Sequence, residues 1–198
     1  YARAKAHCEK WLLENNADDF ICTVTRSASV CGYSPRPRFD LTVNKMTHDA
    51  YRLGEITVNG GMQKRCHVHM HDLCDFYEML LVAPAADIAG QAFNVVAENS
   101  AILDTAHLVR DTLQQARDLP RKVRINVRPR TDDRSYTVDG TKAREALGFI
   151  PRRTVRLAVA TLKANLDGGY WPDSLTNEKY KNIASNFFPD SSTAALVH

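Results

Sequence analysis

The sequence lacks a Cys-x-x-Cys pair, a glycine-rich phosphate turn, an apolar run approaching the roughly 18 residues of a membrane span, and any large surplus of one charge. Each absence excludes something. The 5 cysteines, Cys8, Cys22, Cys31, Cys66 and Cys74, are an odd and scattered set. They argue against a disulfide framework or a zinc ribbon and for free thiols in a reducing compartment. The 9 glycines never form GxGxxG or GxxGxxG, so no turn of the kind that cradles a dinucleotide's phosphates is present. Lys and Arg total 26 against 23 Asp and Glu. The resulting +3 is too weak for a dedicated nucleic-acid binder yet favours small anions. With no basic start leading into an apolar stretch, a cytoplasmic protein is expected, with neither membrane nor nucleic acid as partner.

What is present suits one folded domain or slightly more: 198 residues, 44% hydrophobic and 25% charged. The chain opens on tyrosine rather than methionine, already inside a helical pattern, so it is expected to be part of a longer polypeptide. Helical spacing runs from Tyr1 to about Asn15, and a β-branched strand follows over Phe20–Thr25. A loop containing Gly32, Pro35 and Pro37 leads to a helix over Phe39–Arg52, then short strands at Glu55–Val58 and Cys66–Met70. Asp72 is expected to cap a helix over Leu73–Val82. Next come a strand at Phe93–Val96, a helix opened by Ser100 or Asp104 and reaching about Arg117, and a strand at Val123–Val127. In that last strand the alternation predicts that valine and isoleucine face the core and the basic residues face water. Two helices, Thr141–Leu147 and Thr154–Asp167, are separated by Gly148 and Pro151, and no element is assigned from Gly168 onward. The pattern is α/β.

Tyr1 and Lys5 stand four apart and therefore share a helix face. An ammonium beside a phenol favours phenolate, which lets tyrosine exchange a proton nearer neutrality. Taken alone, the pair is weak. His67, His69 and His71 alternate beside Cys66 and Cys74, which admits zinc, although packing beside the strand is the plainer expectation and no metal site is assigned.

Several segments in one order strengthen the Tyr1–Lys5 pair: YARAK, TRSASVCG, SPRPRFDLTVN, RCHVHMHD, FNVVAEN and DDRSYTVDGTKAREALGFIPR. Together they resemble the extended short-chain dehydrogenase/reductase family in its sugar-nucleotide epimerase/dehydratase branch, over roughly residues 1–155. The resemblance implies the C-terminal part of a Rossmann-type parallel sheet with a smaller mixed α/β substrate-binding lobe. Residues 1–38 would close the core and carry the YxxxK helix, 39–167 would be mainly substrate lobe with returning core elements, and 168–198 a tail. It implies that Tyr1 exchanges the proton of a sugar hydroxyl and that Lys5 binds the nicotinamide ribose of NAD or NADP. Ser27 and Ala28 would lie beside the nicotinamide, with Ser29 facing the sugar. Asn44, Arg65 and Arg134, or Arg130 in place of Arg134, would hold the diphosphate of a nucleoside-diphosphate sugar. Guanidinium forks suit phosphate oxygens independently of any family. A surface ion pair with a carboxylate is the simpler alternative for each arginine.

Departures are visible: Cys31 replaces the tyrosine of the VYG turn, and Cys66 and His67 replace a proline and an aliphatic residue. Without a glycine-rich turn the chain by itself is expected neither to hold the cofactor tightly nor to turn over. A non-catalytic binding or scaffold protein is the alternative, and a homodimer is expected only from the resemblance.

Overall fold

The computed structural model describes residues 2–115, 122–129 and 134–182. The elements are α1 (Ala2–Glu14), β1 (Thr23–Ser27), β2 (Ser29–Cys31), α2 (Thr42–Leu53), β3 (Glu55–Asn59), β4 (Lys64–His69), α3 (Met70–Val82), α4 (Ala85–Ile88), β5 (Gln91–Val95), β6 (Glu98–Ala101), α5 (Ile102–Gln115), β7 (Arg124–Arg128), α6 (Thr141–Leu147) and α7 (Val155–Asp167). The class is the expected mixed α/β arrangement with parallel pairing. β1 and β5 run parallel, with Thr23 opposite Gln91 and Ser27 opposite Val95. β2 runs parallel to β4, which pairs antiparallel with β6, and β3 runs parallel to β7.

Apolar spacing decides which faces are covered. On α2 the buried residues Val43, Met46 and Ala50 recur every three or four positions. They meet Ala106, Val109 and Leu113 of α5 and Ala158 and Val159 of α7 in one core. A second core lies under α3, where Phe76 packs edge-on against Phe149 with ring centroids 4.9 Å apart. Each such buried side chain contributes about 1.5–3 kcal/mol relative to an exposed one. Glycines close the helices where the chain must turn left-handed: Gly54 after α2 has φ 73° and Gly148 after α6 has φ 69°.

Several local expectations are corrected. β1 begins at Thr23 rather than Phe20, because its register is set by β5, while Phe20 bonds back to Ala17 in a tight turn and Ile21 is exposed. β2 and β6, short and polar, exist because both edges of β4 are paired. Asp72 is not the cap of α3. The helix starts at Met70 and His69 caps it, its side chain accepting from the His71 amide. Asp72 is buried and accepts instead from the Arg152 and Arg153 amides and from Arg153 Nη1 at 2.7 Å. In β7, Val123 before the strand is buried and Ile125 packs on the core, but Val127 is exposed, although Val58 opposite it on β3 is buried. The expected helix end at Arg117 lies outside the described residues.

Residues 168–182 are structured against α2 and α7. Trp171 and Tyr180 are buried with Phe39, Leu162 and Leu166. The Phe39 amide donates to the Tyr180 carbonyl, and a short 3-10 turn spans Glu178–Tyr180. Aromatic packing without a period built this segment, which is why no periodicity announced it.

Candidate active site

The first half of the site is a groove between α1 and β1. Lys5, Cys8, Glu9 and Leu12 follow one helix face and, with Thr23–Ser27, line a space of about 450 Å³. Glu9 locks the two elements together, accepting from Arg26 Nε at 3.0 Å and also from Arg26 Nη2. The same pairing holds the Glu9 carboxyl below its usual range and raises Arg26. Ser27 ends β1 at the carboxyl end of the parallel pair β1–β5, the end at which ligands bind in open α/β sheets. Ala28 is buried and its amide donates to the Val95 carbonyl at 2.9 Å, carrying the chain across to β2. Ser29 begins β2 directly opposite His67 of β4. Tyr1, immediately before α1, lies outside the described residues.

The second half is an arginine corner. Arg65, near the start of β4, donates from Nη1 to the Arg134 carbonyl at 2.7 Å and to the Lys64 carbonyl at 2.8 Å. Its guanidinium carbon stands 5.0 Å from the centroid of the Tyr136 ring. The strap from Arg134 to Gly140 is pinned repeatedly. The Lys64 amide donates to Ser135 Oγ at 2.9 Å. Asn99 on β6 clasps Val138 from both sides, donating from Nδ2 to its carbonyl at 3.0 Å and accepting from its amide at 2.9 Å. Asn94 Nδ2 then donates to the Asp139 carbonyl at 2.9 Å. Two arginines 69 positions apart are thereby neighbours, and main-chain carbonyls rather than a carboxylate hold Arg65. Arg130 lies outside the described residues.

Asn44 sits on α2, only 4% exposed, and its Oδ1 accepts from the Gly32 amide at 3.0 Å. What it can offer a ligand is therefore the Nδ2 donor.

Sequence reasoning passed over three contributors, Asn99, Tyr136 and the true setting of His67. An asparagine and a tyrosine flanking matched segments were the available signals. His67 is fully buried, and neither ring nitrogen has a hydrogen-bond partner. Burial first, and the Arg65 charge second, push its pKa down to about 4. His69 is also lowered, by burial and then by His71, while burial lifts the Cys31 thiol to about 12, well away from thiolate chemistry. Among the described residues no three His, Cys, Asp or Glu side chains converge as a metal site.

A separate polar relay lies on α2. His48 Nε2 is 2.9 Å from Ser174 Oγ, and its Nδ1 is 3.2 Å from Asp49 Oδ1. Phe39 stacks on the imidazole at 4.3 Å. Ser174 is 1% exposed, which closes its hydroxyl to substrates, and the relay fastens the C-terminal segment to α2.

Residues 1–96 match the NAD dependent epimerase/dehydratase family. Among solved structures, the chain is similar to a UDP-glucose 4-epimerase from Thermotoga maritima with UDP-glucose, at 22% identity and TM-score 0.66, over 84% of this chain and 54% of that one. It is similar to a dTDP-glucose 4,6-dehydratase from Streptomyces venezuelae with NAD bound, at 18% identity and TM-score 0.67, over 87% and 53%. It is also similar to an L-threonine dehydrogenase from Phytophthora infestans, at 16% identity and TM-score 0.69, over 84% and 56%. The chain thus spans about half the length of these proteins, and at such identities the likeness is one of fold. Among the described residues no helix is long and apolar enough to cross a membrane. The similarity to NAD dependent epimerases and dehydratases thus lies in residues 1–96, just under half of the chain.

Proposed function

We propose that this chain supplies the proton-transfer helix and the substrate lobe of an NAD(P)-dependent epimerase or dehydratase acting on a nucleoside-diphosphate sugar. Its main support is the bond from Arg65 to the Arg134 carbonyl at 2.7 Å, which brings two segments 69 positions apart together at the Arg65 guanidinium. A diphosphate is a dianion, and such a corner suits it. The α1–β1 groove fits the nicotinamide end of a dinucleotide: it runs along β1 to the carboxyl end of the parallel pair and carries the Lys5 ammonium and the Ser27 hydroxyl. Nicotinamide, when bound, supplies the hydride acceptor for transient oxidation of a sugar carbon.

In this reading Tyr1 takes the proton of the reacting sugar hydroxyl and later returns it. Lys5, one helical turn on, lowers the cost of phenolate and holds the ribose. Ser27 and Ala28 border the nicotinamide, and Ser29, across from His67, meets the sugar. Asn44 Nδ2, Arg65 and Arg134, with Arg130 as the alternative to Arg134, fix the diphosphate. The phosphates of the dinucleotide itself need a glycine-rich turn, which none of the 9 glycines here forms. Residues 1–38 and β5 serve the cofactor side, and the rest up to 167 mainly the sugar-nucleotide side.

The test is turnover of UDP- and dTDP-hexoses with NAD or NADP by the protein carrying this chain. Tyr1→Phe is expected to lower turnover by about 10²–10⁴ while nucleotide-sugar binding persists. Binding without any turnover in the unaltered protein would favour the non-catalytic alternative. A second reading rests on the likeness to L-threonine dehydrogenase, whose amino-acid substrate carries no diphosphate. Under it, Arg65→Ala would leave affinity for UDP unchanged.

A further inference from the structure

The way Arg65 is bonded has a consequence for how it meets an anion. A guanidinium has five N–H groups in one plane. The two on Nη1 are directed at the Lys64 and Arg134 carbonyls, at 2.8 and 2.7 Å. Of the three that remain, Nε–H and one Nη2–H make up the side-on edge, and that edge matches two oxygens of a phosphate in a bidentate contact. Carbonyl partners leave the positive charge uncompensated. They also fix only one corner of the plane, about which the group could still tilt.

Tyr136 supplies the missing restraint. Its ring lies 5.0 Å from the Arg65 guanidinium carbon, within cation–π range, and the ring belongs to a strap that does not move freely. Ser135 is held to the Lys64 amide on one side of it, and Val138 is held twice by Asn99 on the other. The ring is half exposed, so it contributes little to either core.

We propose that Tyr136 is a positioning residue for anion recognition, a plate that sets the plane in which the Nε–Nη2 edge of Arg65 engages a nucleoside diphosphate. This rests on the diphosphate reading given above. The aromatic face does the work and the phenol hydroxyl does not. Asn99 acts one step further back, by fixing the strap that carries the plate.

The experiment is calorimetric titration of UDP, the diphosphate without a sugar, into the protein and five variants, with thermal unfolding run on each. Tyr136→Phe is expected to bind within about twofold of the unaltered protein, because the ring persists. Tyr136→Leu is expected to weaken binding about two- to fivefold without moving the unfolding midpoint, the size of an exposed cation–π contact. Arg65→Lys keeps the charge but loses the fork, and in its background Tyr136→Leu should add less than about twofold. With a nucleotide sugar, the loss should enter KM and leave kcat unchanged. Unaltered binding in Tyr136→Leu while Arg65→Ala binds weakly would overturn the proposal alone. An effect of Tyr136→Leu that persists in full beside Arg65→Lys would overturn it as well. Unaltered binding in Arg65→Ala would remove the diphosphate reading on which it stands.

Discussion

Replacing His67 with leucine should stabilise the protein, and the gain should grow as the pH falls. The imidazole is fully buried on β4 with both ring nitrogens unpaired, and its pKa is pushed from its usual 6.5 to about 4, by burial and then by the Arg65 charge. Near neutral pH the ring is uncharged in both native and unfolded states. Leucine then removes an unsatisfied buried polar group, worth about 1–3 kcal/mol, less up to about 1.5 kcal/mol for the change of shape. The expected net gain is about 1 kcal/mol. The native pKa lies below the unfolded one, so the contribution of neutral His67 is fully present above pH 6.5 and is lost as the pH falls toward 4. In that window the unfolded chain binds a proton that the native chain refuses, and stability falls by about 1.4 kcal/mol per pH unit from this group. Other acidic groups titrate in the same range, but the difference between wild type and variant cancels them. Urea unfolding followed by circular dichroism at about pH 7 and about pH 5 should show the stability gap widening by about 2 kcal/mol. A gap that stays constant between the two, or a leucine variant weaker at both, would refute the assignment, since either means that the imidazole has a partner or access to water.

Asp72→Ala should be costly, because the buried carboxylate receives two amides and the Arg153 guanidinium; a loss of about 3 kcal/mol is expected, read as a lowered Tm. Gly32→Ala should destabilise by about 1–2 kcal/mol, since φ is 104° and a Cβ would sit 3.2 Å from His69 Nε2; denaturant unfolding measures it, and an unchanged midpoint would mean the loop gives way. His48→Ala breaks the bond to Ser174 and the stack on Phe39, and it should loosen residues 168–182 before the rest, seen as faster limited proteolysis near Trp171 at unchanged core unfolding. Glu9→Gln weakens the clamp between α1 and β1, and the prediction is loss of nicotinamide-cofactor affinity with UDP affinity preserved.

Where burial and helical spacing coincide, as at Val43, Met46 and Ala50 or at Ala158, Val159 and Leu162, the element could be read directly from the residues. β2 and β6 could not, because three- and four-residue strands of Ser29, Asn99 and Ser100 have no pattern of their own and exist only through pairing with β4. Asp72 looked like a cap because a carboxylate at a helix start usually is one. Here the competing amides of Arg152 and Arg153, 80 and 81 positions away, draw it inward. The site divided along the same line. The matched segments named Arg65 and Arg134 as candidates, whereas the bond between them runs through a main-chain carbonyl that no side-chain pattern encodes. The isolation of His67 was equally invisible, since an alternating His-x-His strand reads the same whether or not its ring nitrogens find partners.

The strap from Arg134 to Gly140 borrows its alignment from side chains instead of from a ladder, with the Asn99 carboxamide standing where a neighbouring peptide group would be. Its fastenings run from the Arg65 bond to the Arg134 carbonyl, through Ser135 and Val138, to Asp139. Substitutions along the strap that spare Ser135, and that leave Asn94 and Asn99 in place, should therefore keep Arg65 where it is.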